Sequence, residues 1–186
     1  MISIAVNRKT KELERALGQD APKKLKREIV AAINATAKRT VNILAKEVGK
    51  EIAVPQKDIK QGIAVTRKAV AEKLSAQVTQ QESQRLPLKR FGANQTKEGV
   101  TYRISKTKGR QFIKSAFMPV VLGEHVYKRQ GKKRLPIQKL HGPSPWGITV
   151  KNKLDKLIAG RDVEPELIKQ IDRRIKAINF KKTQGQ

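Results

Sequence analysis

The chain has 186 residues, of which 38% are hydrophobic and only 4% aromatic, so it suits one domain with a mainly aliphatic core. Its 42 lysines and arginines stand against 16 acidic residues, and the resulting charge of +26 favours a polyanionic partner, nucleic acid first, over a free compact monomer. The lack of cysteine excludes disulfides and thiolate metal sites, no apolar run approaches the ~20 residues of a membrane span, and the first apolar run is too short for a signal peptide.

The first strong pattern is a helical stripe in the N-terminal third. Apolar residues recur at steps of three or four: Leu25, Ile29, Ile33, Ala37, Val41, Leu44, Val48 and Ile52. This period predicts a long helix of about seven turns. Pro55 prevents its continuation, and a shorter helix is expected at 13–17, ending at Gly18. We assign 1–54 to an N-terminal helical part.

Residues 62–144 are predicted to form a β part with basic loops. Alternating apolar residues indicate strands at 63–65, 73–79 and 99–105. The polar stretch 80–94 is predicted to be a long loop, and loops of that length are usually functional or flexible.

The stretch from Gly109 to Ser144 carries the most information. An apolar run begins at Phe112, and alternating apolar residues return from Leu135 to Leu140, which is typical of strands joined by a turn. Five positive charges lie within seven residues of that turn: Lys128, Arg129, Lys132, Lys133 and Arg134. Because like charges at one tip repel, we expect a negative partner there, or open water.

The remainder, 145–180, is predicted to hold the C-terminal helices, one within 148–158 and a clearer one at 164–180, followed by a disordered tail at 181–186. We interpret Trp146 and Phe117 as structural anchors. The expected fold class is α+β. A long N-terminal helix and C-terminal helices would pack on a small antiparallel sheet or a partly open barrel with extended loops.

No residue pattern supports catalysis, so we predict a protein that is not an enzyme and has no cofactor or bound metal. The two histidines, His125 and His141, lack a helical metal-binding spacing and a nearby carboxylate cluster. The serines lack a nucleophile-elbow context, and the chain has no phosphate-binding loop motif.

The positive charge concentrates in loops at 85–90, 103–110 and 128–134. No zinc finger, KH loop or RRM aromatic signature is present, so any contact with nucleic acid should be directed to the backbone. The candidate contacts to nucleic acid or an acidic partner are Arg129, Lys132, Lys133 and Arg134, then Lys128, Lys89, Arg90 and Arg85. One reading is therefore a cellular, sequence-independent double-stranded nucleic-acid-binding protein, whose binding would depend steeply on salt.

A second reading comes from a resemblance. The chain is similar to the minor tail protein Z family of tailed bacteriophages and prophages over most of its length, roughly from the long helix to the C-terminal helix. The segments that carry it, in order, are Ala32-Ile33-Asn34-Ala35-Thr36-Ala37, Ala116-Phe117, Val126-Tyr127-Lys128-Arg129-Gln130-Gly131-Lys132, Arg134-Leu135-Pro136-Ile137 and Leu140-His141-Gly142-Pro143-Ser144.

The resemblance implies a structural virion protein that completes the head-proximal end of the tail, forms a ring at the head–tail junction and contacts the DNA end. It implies a homo-oligomer, a hexamer under the symmetry of the tail tube. The expected partners are the tail terminator, tail tube or head–tail connector proteins and double-stranded DNA, but no membrane. Assembly would take place in the host cytoplasm.

Overall fold

The computed structural model of the protein describes residues 2–5, 21–123 and 125–184. The chain divides into two compact units. Unit 1 comprises Met1–Leu44, Ile63–Gln80 and Asp155–Gln186, and unit 2 comprises Ala45–Gly62 and Gln81–Leu154. The short helix predicted at 13–17 lies outside the described residues. The assignment of the whole chain to one tail-completion domain with four parts stays a prediction.

The described chain begins with a short strand, continues with a long helix and a series of short strands, and ends with three helices. The helices are Ala21–Glu51 (α1), Gln56–Lys60 (α2), Pro145–Lys151 (α3), Leu154–Ile158 (α4) and Glu164–Gln184 (α5). A π-helical turn, Ala159–Val163, connects α4 to α5. The strands are Ile2–Ala5 (β1), Ile63–Arg67 (β2), Ser75–Gln80 (β3), Asn94–Gln95 (β4), Gly99–Tyr102 (β5), Gln111–Lys114 (β6), Ala116–Phe117 (β7), Tyr127–Arg129 (β8) and Ile137–Lys139 (β9). Short 3-10 turns lie at Leu88–Phe91 and Val120–Leu122.

Unit 1 contains a three-stranded antiparallel sheet with β3 between β1 and β2. Val78 of β3 lies opposite Ile2 on one side and Val65 on the other. Ala76 and Val78 are buried, whereas Gln77 between them is partly exposed. This is the alternation of a strand with one face on the core.

In unit 1 the first part of α1 lies antiparallel to α5. Arg39 contacts Glu166 at 3.1 Å, and Arg174 contacts Glu28 at 3.4 Å, so the residue order runs in opposite directions along the two helices. Apolar residues of both helices are buried in this unit: Ile29, Ala32, Ile33, Ala37, Leu44, Leu167 and Ile171. Since exposed ion pairs contribute little, burial of this stripe supplies most of the stability.

Polar side chains of α1 fit the same core by bonding to the backbone. The buried hydroxyls of Thr36 and Thr40 donate to the carbonyl oxygens four residues earlier, at 3.0 and 2.9 Å. Asn34 donates to the carbonyl oxygen of Ala69 at 3.1 Å and accepts from its N–H at 2.8 Å. These bonds satisfy polar groups that would otherwise be costly to bury.

Unit 2 contains two further three-stranded antiparallel sheets, β4–β5–β6 and β7–β8–β9. Its core is formed by apolar residues from separate segments, including Leu86, Leu88, Phe91, Val100, Ala116 and Val126. The segment before the first 3-10 turn pairs with the segment after β9: the N–H of Leu88 donates to the carbonyl of Leu140 at 3.1 Å, and that of Gly142 to the carbonyl of Leu86 at 2.9 Å.

The α+β class is confirmed, with three small sheets and no closed barrel among the described strands. Two apolar runs are interrupted where the sequence suggested continuity. Ser115 has φ 62° and separates β6 from β7, and Lys153 has φ 50° and separates α3 from α4. Helix α5 continues to Gln184, and residues 185–186 lie outside the described residues, so the disordered tail stays a prediction.

Gly142 has no room for a side chain. A Cβ there would overlap the ring of Phe91, which is fully buried, so the surrounding core would have to shift. We expect Gly142→Ala to lower the free energy of unfolding by about 3 kcal/mol, the upper range for overpacking. Gly109→Ala is the matched control, because a Cβ there meets nothing within 4 Å, and it should change stability by at most about 1 kcal/mol. Urea unfolding of both variants tests this, and equal stabilities would contradict it.

Candidate functional site

The basic tip predicted from the sequence is the end of a β-hairpin in unit 2. Strands β8 and β9 pair antiparallel, with Lys128 opposite Gln138 and Arg129 opposite Ile137. The N–H of Gln130 donates to the carbonyl of Pro136 at 3.2 Å and closes the loop. Residues 128–136 are all exposed. The predicted arrangement of strands joined by a basic turn is therefore confirmed in part: the second strand is β9, but the first is β8, which includes Lys128 and Arg129, and not the apolar run from Phe112. The loop presents its side chains to solvent.

The hairpin strand separates two of the five charges. Successive strand residues point to opposite faces, so Lys128 and Arg129 lie on different sides of the sheet. The guanidinium carbon of Arg129 lies 5.3 Å from the centre of the Phe117 ring. Phe117 in turn faces Tyr127, with the ring centres 6.3 Å apart. Arg129 thus lies over an aromatic pair in a cation–π contact, which fixes its position.

The remaining cations of the tip are Lys132, Lys133 and Arg134. All three are exposed, and none forms a hydrogen bond or ion pair with another described residue. Three neighbouring positive charges without a counter-charge produce a positive potential in the surrounding solvent. We call Lys128, Arg129, Lys132, Lys133 and Arg134 the hairpin cluster.

The second predicted group, Lys89 and Arg90, belongs to a different environment. Both lie in the 3-10 turn Leu88–Phe91, whose apolar ends are buried, so the two basic side chains face outward. Nη1 of Arg90 lies 3.3 Å from Oδ1 of the buried Asp58. Nζ of Lys89 donates to the carbonyl of Gly123 at 3.2 Å. The nearby Arg85 is exposed and lies before the turn.

The two arginines of the loop 103–110 form hydrogen bonds with backbone carbonyl oxygens. The guanidinium of Arg103 donates to the carbonyl oxygens of Ser105, Lys106 and Lys108. Arg110 donates to the carbonyl of Gly92 at 2.6 Å and to Thr101. These hydrogen bonds stabilise loops of unit 2. The two arginines therefore have a structural role, unlike the exposed residues of the hairpin cluster.

Around Lys89 and Arg90 the fold forms a cavity of about 430 Å³. Its walls are Pro55, Asp58, Pro87, Lys89, Arg90, Gly92 and His125. Burial lowers the pKa of His125 from its ordinary value of 6.5, and the positive charges of Lys139, Lys89, His141 and Arg90 lower it further. The lowered pKa of His125 therefore indicates a positive electrostatic potential around this cavity.

The shifted pKa makes stability depend on pH. Because the pKa of His125 is lower in the folded chain, the unfolded chain takes up the proton first as the pH falls. The stabilising effect of neutral His125 is thus present above pH 6.5 and is lost as the pH falls through the lowered pKa. We expect His125→Gln to flatten the decline of the free energy of unfolding between pH 7.5 and 5.5. Urea unfolding at several pH values measures it; parallel wild-type and His125→Gln curves would contradict it.

Comparison with models of protein families identifies the family of this chain. The model for prophage minor tail protein Z matches residues 10–180 of the 186-residue chain. The chain belongs to the prophage minor tail protein Z family. The expectation drawn from the resemblance is therefore confirmed at the level of the family. No curated protein and no solved structure matches the chain.

The protein is thus a bacteriophage minor tail protein and a component of the virion. In the part of the chain that the structure describes, no helix is long and apolar enough to cross a membrane. Within the same residues, no group of three or more histidine, aspartate or glutamate side chains could hold a metal ion.

The two predicted anchors of this tail protein have different surroundings. Phe117 is half-buried and has an aromatic contact with Tyr127 and a cation–π contact with Arg129, and its role as an anchor stays a prediction. Trp146 is half-buried at the second position of α3. Its role as an anchor stays a prediction.

Three residues that the sequence did not connect with Lys89 and Arg90 contribute to the site: Asp58 and His125 line the cavity, and the charge of Lys139 acts on His125. Asp58 comes from α2, His125 precedes β8, and Lys139 is in β9. No local pattern joins them, because each comes from a different segment. The one available signal was that both histidines flank the basic hairpin.

Proposed function

We propose that this minor tail protein completes the head-proximal end of the tail as a ring-forming subunit at the head–tail junction. In this proposal the hairpin cluster meets the phosphates of the DNA end or the acidic surface of an adjacent tail protein. The observation that carries it is the exposed loop of Lys132, Lys133 and Arg134, whose charges have no counter-charge among the described residues. The protein acts as a structural part and not as an enzyme.

The chemistry of the hairpin cluster suits contact with phosphate. Lysine and arginine that neutralise phosphates release condensed counterions, a gain that does not depend on base sequence. Phosphate contacts also position a protein on a duplex without reading bases. A loop at the end of a hairpin brings its cations forward with little loss of core packing, so a ring of such loops would line a channel with positive charge.

Formation of a ring is supported by the strand edges. Each of the three sheets has three short strands, so two edge strands in every sheet offer backbone groups for pairing between copies. Pairing that repeats head to tail closes into a ring when the rotation allows it. The net charge of +26 opposes assembly of the protein alone, so DNA or an acidic neighbour would stabilise the ring.

The experiment that tests the proposal is electron microscopy of particles whose minor tail protein carries a small C-terminal label. We expect a ring of label at the head-proximal end of the tail, with a subunit number that native mass spectrometry of the released ring confirms. In particles lacking the protein, tails should accumulate without heads. Label in the baseplate or the capsid shell would overturn the proposal.

A further inference from the structure

The cavity of unit 2 has the build of a binding site that differs from the hairpin cluster. Its volume of about 430 Å³ falls in the range of small-ligand pockets. Pro55 and Pro87 give it apolar walls, while Lys89 and Arg90 supply cations at its surface. A concave site with apolar walls and a few polar groups can enclose a short side chain, whereas it fits a flat partner surface poorly.

Arg90 is held ready for a ligand. The buried carboxylate of Asp58 contacts one of its nitrogens, Nη1, at 3.3 Å. A guanidinium has five N–H donors, so this contact leaves others for an anion. Because Asp58 already restrains the side chain, binding would cost less conformational entropy than it would for a free arginine. A restrained guanidinium binds carboxylate and phosphate groups well, because two of its N–H donors can bond to two oxygens of the anion at once.

The positive potential extends beyond the two cations of the turn. The positive charges of Lys139 and His141 also act on His125, whereas Asp58 is the one acidic residue among the described residues that line the cavity. Nδ1 of His125 is buried and has no hydrogen-bond partner among the described residues. An anion entering this site would therefore be attracted by the positive charges of Lys89, Arg90 and Lys139, and among the described residues that line the cavity Asp58 would oppose it.

We propose that this cavity binds the carboxylate side chain of an acidic segment in a partner protein. The methylene groups of a glutamate would contact the prolines, and its carboxylate would reach Lys89 and Arg90. Duplex DNA fits less well, because its phosphates lie along a wide convex backbone that a cavity of this size cannot enclose. The site does not depend on the ring or on the hairpin cluster, so it goes beyond the function proposed above.

Binding of the carboxylate is linked to protonation of His125. The cations around the ring lower its pKa, so an anion placed among them raises that pKa again. By linkage, the acidic segment binds more tightly as the pH falls towards 5.5. A merely structural role of Lys89 and His125 would produce no such shift, which makes the titration of the ring the decisive readout.

The probe is a capped hexaglutamate peptide added to the full chain in 0.15 M salt, where non-specific attraction to the basic surface is screened. The chain has two histidines, so NMR follows both ring signals, and His125→Gln identifies the signal of His125. We expect the peptide to raise the pKa of His125, while a capped hexaglutamine peptide leaves it unchanged.

Substitutions separate this site from the general charge of the protein. Lys89→Gln should weaken peptide binding about tenfold, the effect of losing one charged hydrogen bond. Lys133→Gln removes the same charge from the hairpin cluster and should weaken it less than about twofold. Arg90→Lys keeps the charge opposite Asp58 but loses the fork, so it should also weaken binding while the protein stays folded.

Two results would overturn the inference. One is equal weakening by Lys89→Gln and Lys133→Gln with no change in the titration of His125, which would mean non-specific attraction. The other is a short DNA duplex that shifts the His125 signal where the peptide does not, which would assign the cavity to phosphate. Both results leave the head–tail position of the protein to be judged separately by microscopy.

Discussion

Replacing Ile33 by aspartate should prevent folding. The side chain of Ile33 is fully buried in unit 1, on the stripe that α1 contributes to its core. Loss of a buried isoleucine costs about 2–5 kcal/mol, and an unpaired carboxylate in its place costs several more. Because domains of this size are stable by about 5–15 kcal/mol, we expect no cooperative unfolding transition in circular dichroism for Ile33→Asp.

The matched control lies two residues earlier on the same helix. Ala31 is exposed, so Ala31→Asp adds the same charge, with a helix-propensity penalty at least as large, but without burial. It should lower the free energy of unfolding by less than about 1 kcal/mol. A folded Ile33→Asp protein with a thermal transition close to that of Ala31→Asp would show that the core of unit 1 is not where the structure places it.

The helix that contains Ile33 was predictable because its signal is local and repeated. Eight apolar residues at steps of three or four outweigh the modest propensity of threonine and asparagine on the same helix. The predicted helix and α1 agree closely, and the edges of β3 differ from the prediction by only one or two residues. The helical pattern does not predict the hydrogen bond from Asn34 to Ala69, because it joins residues 35 positions apart.

The breaks in regular structure could not be predicted from the sequence. Ser115 and Lys153 adopt positive φ, a region that non-glycine residues seldom occupy. No glycine marks either position, so the pattern suggested one continuous apolar run from Phe112 and one helix within 148–158. Tertiary packing sets these torsions, and they divide the β part into small sheets.

The two candidate sites also differ in how well the sequence predicts them. The hairpin cluster was predictable, since its five cations lie within seven residues of one turn. The cavity was not, because Asp58, Arg90 and His125 are brought together only by the fold of unit 2. Sequence reasoning therefore placed Arg90 in a second group of candidate contacts but did not indicate its pairing with the buried carboxylate of Asp58.

Charge reversal at the hairpin tip should impair tail joining while leaving the subunit folded. We choose Lys132→Glu with Lys133→Glu, because Arg129 contacts Phe117 and its loss would also affect packing. Both lysines are exposed at a loop that buries little, so the free energy of unfolding should change by less than about 0.5 kcal/mol. Phage carrying the double variant should yield far fewer infectious particles, as counted by plaque assay and by microscopy of unjoined tails.

The control makes the same charge change on α5. Lys169 and Lys176 are also exposed, so Lys169→Glu with Lys176→Glu lowers the net charge of the protein equally. Particle yield should stay near that of the wild type with this pair. An equal loss from both pairs would mean that net charge matters and the position of the hairpin does not.

The salt dependence of DNA binding then separates the two partners proposed for the hairpin cluster. If the tip contacts phosphates, the slope of log K against log salt should become shallower by about 2 in the tip variant, since each phosphate contact contributes about 0.9. If the tip contacts an acidic neighbour, that slope stays the same and tail joining still fails. Particles that assemble and infect normally with both lysines reversed would contradict the role of the hairpin cluster in either form, because a reversed charge repels phosphate and carboxylate alike.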